Sequence, residues 1–73
     1  MSVEPKSLRI VLNGEQREIA SGTSVDTLLA SLGIDPRRAA VERNRQIVKK
    51  PAYAETLLED ADRIEVVTLV GGG

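Results

Sequence analysis

One stretch of this chain repeats its apolar side chains at the spacing of a helix: Val25, Leu28, Leu29 and Leu32 recur at i, i+3, i+4 and i+7 and fall on one face. The other apolar runs, at residues 8–12, 39–43, 46–48 and 63–70, are short and read as strands. A helix striped on one face cannot bury that face by itself, so it has to lie across a sheet built from the remaining segments. Burying the four side chains is worth about 6–12 kcal/mol gross, an upper figure because the unfolded chain is already partly compact. Trp and Phe are absent and Tyr53 is the single aromatic residue, so the rest of the core is aliphatic as well.

Local signals set the boundaries. Residues 1–7 include Pro5 and show no periodicity, which reads as a loose leader. Residues 8–12 then run into Asn13-Gly14, the strongest short hairpin signal, and out into residues 15–19. Leu8, Ile10 and Leu12 share a face of the first strand, whereas the second is mostly polar, as befits an outer strand. Residues 20–22 make a turn, and Thr23-Ser24-Val25-Asp26 fits a capping box with Thr23 as cap and Asp26 in the first turn near the positive dipole end. Gly33 suits the left-handed C-terminal cap, and Pro36 pushes Asp35 out of the helical region.

Beyond the helix, residues 39–43 and 46–48 read as two short strands around Asn44-Arg45, and residues 52–56 as one helical or 3₁₀ turn. Tyr53 is expected to pack over an end of the core, since nothing nearby would lower its pKa for catalysis. Glu59-Asp60-Ala61-Asp62 lacks the alternating ligands, glycine bend and distal glutamate of a calcium loop and reads as a solvated turn. The last strand is long enough to lie centrally, beside the first. The fold expected is α+β, a roll of one main helix on a mixed four- to five-stranded sheet, as one domain over residues 1–73.

Composition removes most catalytic chemistries. Without cysteine or histidine there is no thiolate or imidazole to act as nucleophile, base or metal ligand, so neither a catalytic nor a metal site is assigned. No apolar run approaches 18 residues and no export leader is present, so the expectation is a cytoplasmic protein without a membrane span. A net charge of −1 argues against a nucleic-acid binder, as does a lone aromatic residue where base stacking needs several. Arg37, Arg38, Arg43, Arg45, Lys49 and Lys50 nevertheless cluster, followed by Glu55, Glu59, Asp60, Asp62 and Glu65. Such a run is either a solvated strand edge or a steering patch for a protein partner.

The chain ends in Gly71-Gly72-Gly73 directly after the last strand. Three bare residues read either as an ordinary frayed or linker-like end or as a flexible tail that threads a terminal carboxylate through a channel too narrow for a Cβ. Within that strand Ile64, Val66 and Thr68 share one face and Val67 and Leu69 the other. So short a chain has no second layer for the opposite face, which makes Val67 and Leu69 candidate partner contacts.

The Asn13-Gly14 hairpin, Ser24-Val25-Asp26-Thr27-Leu28-Leu29, Val41-Glu42-Arg43-Asn44, Ile47-Val48, Asp62-Arg63-Ile64-Glu65-Val66-Val67 and Val70-Gly71-Gly72-Gly73 together resemble the ThiS family of sulfur carriers, over roughly residues 8–73. Members often carry glycine between the two aspartates where Ala61 stands here. The resemblance implies a ubiquitin-like β-grasp fold whose C-terminal carboxylate is adenylated with ATP by a ThiF-like adenylyltransferase and converted to a thiocarboxylate. A sulfur donor system supplies the sulfur, and a ThiG-like thiazole synthase receives it for thiamine. By the same resemblance Gly73 bears the sulfur, Gly72 completes the Gly-Gly end and Gly71 is an additional glycine. The chain would then be a co-substrate, not an enzyme, with no bound cofactor and ATP used by its partner. Alternatives are a MoaD-like or other sulfur carrier, a ubiquitin-like modifier ending in an amide on lysine, and a small RNA-binding module.

Overall fold

In the computed structural model, which describes residues 6–69, eight short elements follow one another. They are β1 (Ser7–Leu12), β2 (Glu15–Ala20), α1 (Val25–Ser31), a 3₁₀ turn (Pro36–Arg38), β3 (Ala39–Arg43), β4 (Gln46–Val48), a second 3₁₀ turn (Lys50–Ala52) and β5 (Arg63–Thr68). β1 starts one residue before the expected strand; residues 1–5 of the expected leader lie outside the described residues. The strands form one sheet in the order β2-β1-β5-β3-β4. β1 and β5 run parallel and every other pair is antiparallel, so the last strand is central and beside the first, as its sequence suggests. One helix across a five-stranded mixed sheet is the β-grasp roll.

Strand alternation decides which face meets α1. Leu8, Ile10 and Leu12 of β1, Ala39 and Val41 of β3, and Ile64 and Val66 of β5 are buried on one side. Val25, Leu28 and Leu29 of α1 close over them, and Tyr53 and Leu58 complete the buried cluster. Leu32, expected as a fourth core residue, is only partly buried, because it is the residue at which the helix stops (φ −90°, ψ −2°). Gly33 follows with φ +73°, the left-handed cap its position predicts.

The helix begins one residue later than the capping-box reading has it. Ser24 is the cap: its Oγ accepts from the Thr27 N–H at 3.1 Å, while Thr23 Oγ1 donates to the Ala20 carbonyl at 2.6 Å. The reason is tertiary. Ser24 is held extended by a bridge to Leu57, and the first helical amides donate to a neighbouring segment, Val25 to the Thr56 carbonyl at 2.9 Å and Asp26 to the Tyr53 carbonyl at 3.1 Å. Residues 53–57 thus supply acceptors that local sequence cannot reveal.

The core predicts its own sensitivity. Leu29 is fully buried in the core cluster, so Leu29→Ala is expected to destabilise by about 2–5 kcal/mol through the cavity it leaves. Urea titration followed by circular dichroism measures this; an unchanged midpoint would mean that α1 does not seal the core.

Candidate functional site

The expected site consists of the chain end and the strand face that precedes it, so its geometry is the geometry of β5. At the start of β5 the chain is clasped. Asn44, the first turn residue between β3 and β4 (φ +52°), donates its N–H to the Arg63 carbonyl at 2.8 Å and accepts the Arg63 N–H on Oδ1 at 2.9 Å. Its Nδ2 donates to Asp62 Oδ1 at 3.0 Å. Asp62 Oδ2 accepts from Arg43 Nε and from the Glu59 N–H, both at 2.8 Å. The expectation of a wholly solvated acidic turn fails at this residue: Asp62 is 5% exposed and is the hub that ties the turn to β3. Burial pushes its carboxyl pKa up, but the Glu59 amide, Asn44 and Arg43 outweigh that and hold it below the ordinary aspartate value. Ala61 sits at φ +71°, a conformation that favours glycine, with its N–H on the Arg9 carbonyl at 2.7 Å.

At the far end of β5 the two sides differ. Toward β3, Thr68 pairs with Ala39 and the Leu69 N–H donates to the Arg38 carbonyl at 2.7 Å. Toward β1, the backbone ladder stops where β1 turns: Asn13 (φ +48°) donates its N–H to the Ile64 carbonyl at 2.9 Å. The Asn13 side chain then takes over, accepting the Val66 N–H on Oδ1 at 2.8 Å and donating Nδ2 to the Val66 carbonyl at 3.2 Å. Val70 and the candidate residues Gly71, Gly72 and Gly73 lie outside the described residues.

Val67 and Leu69 are 58% and 55% exposed, and Val67 projects from the face opposite α1. Val67 pairs directly with Ala40, and Ile47, 77% exposed, pairs with Glu42 on the same side of the sheet. Sequence reading missed Ile47, although its register contained the signal: Val48 faces the core opposite Val41, which turns Ile47 outward. On the same face Glu42 and Glu65 face each other across the ladder, and with Arg45, Arg63 and Val67 they line one shallow depression. The basic run does not gather into one patch. Arg37 is hydrogen-bonded to Asp35 and lowers that carboxyl's pKa, while Arg43 is spent on Asp62 and Glu59.

No group positioned for catalysis emerges from these residues. Tyr53 is buried, which raises its pKa, and its hydroxyl donates to the Ala39 carbonyl at 2.9 Å, so the phenol serves packing. Among the described residues no cluster of three or more acidic, histidine or cysteine side chains could hold a metal ion, and no helix is long and apolar enough to cross a membrane. What the arrangement presents is a partly apolar sheet face leading into a held strand end.

Comparison with known proteins adds to this geometry. The profile described as the ThiS family matches residues 10–73. A thiazole synthase of Paramagnetospirillum magneticum is 44% identical over 66 residues, which cover 90% of this chain and 20% of that protein. The sulfur carrier protein ThiS of Bacillus subtilis is 41% identical over 63 residues, 85% of this chain and 96% of that one. The crystal structure of a thiamine biosynthesis protein (ThiS) from Geobacter metallireducens superposes with a TM-score of 0.77 at 26% identity, covering 90% of this chain and all of that one. The chain thus spans about a fifth of the length of the thiazole synthases it matches and nearly all of the Bacillus carrier.

The Asp62 clasp makes stability depend on acid. An aspartate whose folded pKa lies below its unfolded value of about 3.9 contributes stability that is present above that value and lost as pH falls through the folded pKa. Urea unfolding between pH 7 and pH 2 is therefore expected to show stability falling below about pH 4. Asp62→Asn is expected to be less stable at neutral pH and to flatten that fall. An identical pH profile in the variant would show that another carboxylate is responsible.

Proposed function

The chain belongs to the ThiS family, and on that premise we propose that it is a cytoplasmic sulfur carrier of thiamine biosynthesis that carries sulfur on the Gly73 carboxylate. The observation that carries the proposal is a family match running through residue 73, and so through the glycine end. A ThiF-like adenylyltransferase activates that end: a carboxylate oxygen attacks the α-phosphorus of ATP, pyrophosphate leaves, and an acyl adenylate forms. A sulfur nucleophile at the oxidation level of sulfide, provided by a donor system, then attacks the carbonyl carbon. AMP departs with the C–O bonding pair, leaving a thiocarboxylate. Activation splits one unfavourable displacement into two feasible ones, since a carboxylate is a poor acyl donor and an acyl adenylate a good one.

The recipient in this reading is a ThiG-like thiazole synthase, which the matched thiazole synthases favour over a recipient in another sulfur pathway. Gly71 and Gly72 form the part of the tail that enters the partner's channel, where a Cβ would obstruct passage. Val67 and Leu69, both exposed, form the apolar contact that seats the activating enzyme. ATP belongs to that enzyme; the carrier itself binds no cofactor and acts as co-substrate.

Two experiments test this. Deletion of Gly73, Gly72→Val, and one residue appended after Gly73 are each expected to abolish thiocarboxylate formation. Deletion withdraws the carboxylate by about 3.5 Å, a full reacting distance, whereas an appended residue leaves an unreactive amide at Gly73. Intact mass after incubation with ATP, activating enzyme and sulfur donor reads the outcome: wild type exchanges one oxygen for sulfur, and the three variants do not. Equal conversion of all four would remove Gly73 from the reaction. Separately, Val67→Glu combined with Leu69→Glu is expected to weaken carrier binding to the activating enzyme at least about tenfold, the loss of an apolar contact worth some 1.4 kcal/mol or more. Its thermal midpoint is expected to stay near that of wild type, because both side chains are exposed. Unchanged affinity would move the docking face elsewhere.

A further inference from the structure

We infer that Asn13 is a positioning residue for the C-terminal end: its side chain extends the β1-side hold on the last strand from Ile64 to Val66 and so steadies the strand end from which the glycine tail departs. The inference rests on the carrier reading above. Because β1 turns away at Asn13-Gly14, its backbone cannot pair with β5 beyond Ile64. Val66 points its N–H and carbonyl to that same side, and the Asn13 carboxamide meets both, at 2.8 and 3.2 Å. The side chain thus stands in for one more residue of strand.

The chemistry demanded is narrow. Val66 presents one donor and one acceptor, and a carboxamide on a single methylene offers one of each at the right reach. Aspartate at neutral pH can only accept, glycine can do neither, and glutamine carries one methylene more. The turn alone makes no such demand, since a left-handed φ of +48° is as well served by glycine.

The consequence concerns the chain end. On the β3 side β5 is held as far as Leu69 by the Arg38 carbonyl; on the β1 side Asn13 at Val66 is the last hold seen among the described residues. Four residues follow Leu69, which can span at most about 14 Å. Without the carboxamide the hold on the β1 side retreats to Ile64, and Val66 to Leu69 hang from β3 alone. A tethered reacting group is sensitive to this, because added slack dilutes its local concentration and displacement by about 1 Å can cost 10²-fold in rate.

The test compares wild type with Asn13→Gly, Asn13→Asp and Ser24→Ala, the last a helix-cap variant that lowers stability away from β5. Amide hydrogen exchange on the full chain comes first. In Asn13→Gly the Leu69 amide, whose acceptor on Arg38 is untouched, is expected to exchange at least about tenfold faster relative to the Ile10 amide, and in Ser24→Ala it is not. Steady-state adenylation by the ThiF-like enzyme follows. Asn13→Gly is expected to lower kcat at least about tenfold with KM for the carrier changed much less, Asn13→Asp to fall between, and Ser24→Ala to match wild type. Leu69 exchange that moves only with global stability, or a kinetic effect lying wholly in KM, would overturn the inference. Failure of wild type itself to be adenylated would refute the carrier reading instead, and the exchange measurement would still decide the role of Asn13.

Discussion

The two hairpins, β1–β2 and β3–β4, share no ladder with each other and meet only across β5, so the sheet and the concave face that receives α1 both wait for residues 63–68. Each hairpin also turns an asparagine onto that strand, Asn44 at Arg63 and Asn13 at Val66, so side-chain amides extend the hydrogen bonding at both ends. Both asparagines occupy the left-handed conformation that a tight hairpin requires. A single residue type therefore solves two problems, reversing the chain and completing the neighbouring strand. The closing contacts join residues some 50 positions apart, and loop-closure entropy opposes them until the apolar faces of β1, β5 and α1 assemble together.

What was legible in the sequence divides along the same line between local and tertiary causes. The Asn13-Gly14 turn, the glycine cap after α1 and the alternation of β1 and β5 are set by residues within a few positions of one another, and the fold follows from them. Thr23 and Ser24 are equally good caps by local rules, and only the segment at residues 53–57 decides for Ser24. Asp62 looked like any acidic turn residue because its partners, Arg43 and Asn44, are 19 and 18 residues away. Of the candidate site, the outward face at Val67 could be read from strand period, whereas Ile47 required the β3–β4 register.

The described residues divide labour in a way that suits a carrier. The titratable groups whose surroundings shift them, Asp35, Arg37, Tyr53 and Asp62, each make hydrogen bonds within the chain, the Asp35–Arg37 pair at the surface and Tyr53 and Asp62 in buried positions. Among the described residues no buried side-chain polar atom lacks a partner, so none is left aimed at a ligand. On the surface opposite α1, exposed Val67 adjoins the opposed carboxylates of Glu42 and Glu65 and the arginines Arg45 and Arg63. Under the proposed function, such a surface offers the activating enzyme both an anchor and a register.

The parallel pairing of β1 with β5 has a mechanical meaning. From Ser7 along β1 to Leu12, across to Ile64 and on to Thr68, the path runs in one direction for roughly 30 Å, so the two strands leave the sheet from opposite poles. Tension applied between those poles loads the bonds between Val11 and Asp62, Asn13 and Ile64, and Asn13 and Val66 side by side, in shear. Bonds loaded together must fail together, unlike those of a hairpin peeled from its end one rung at a time. Under the proposed function, an enzyme drawing on the chain end would pull on a strand set into the centre of the sheet.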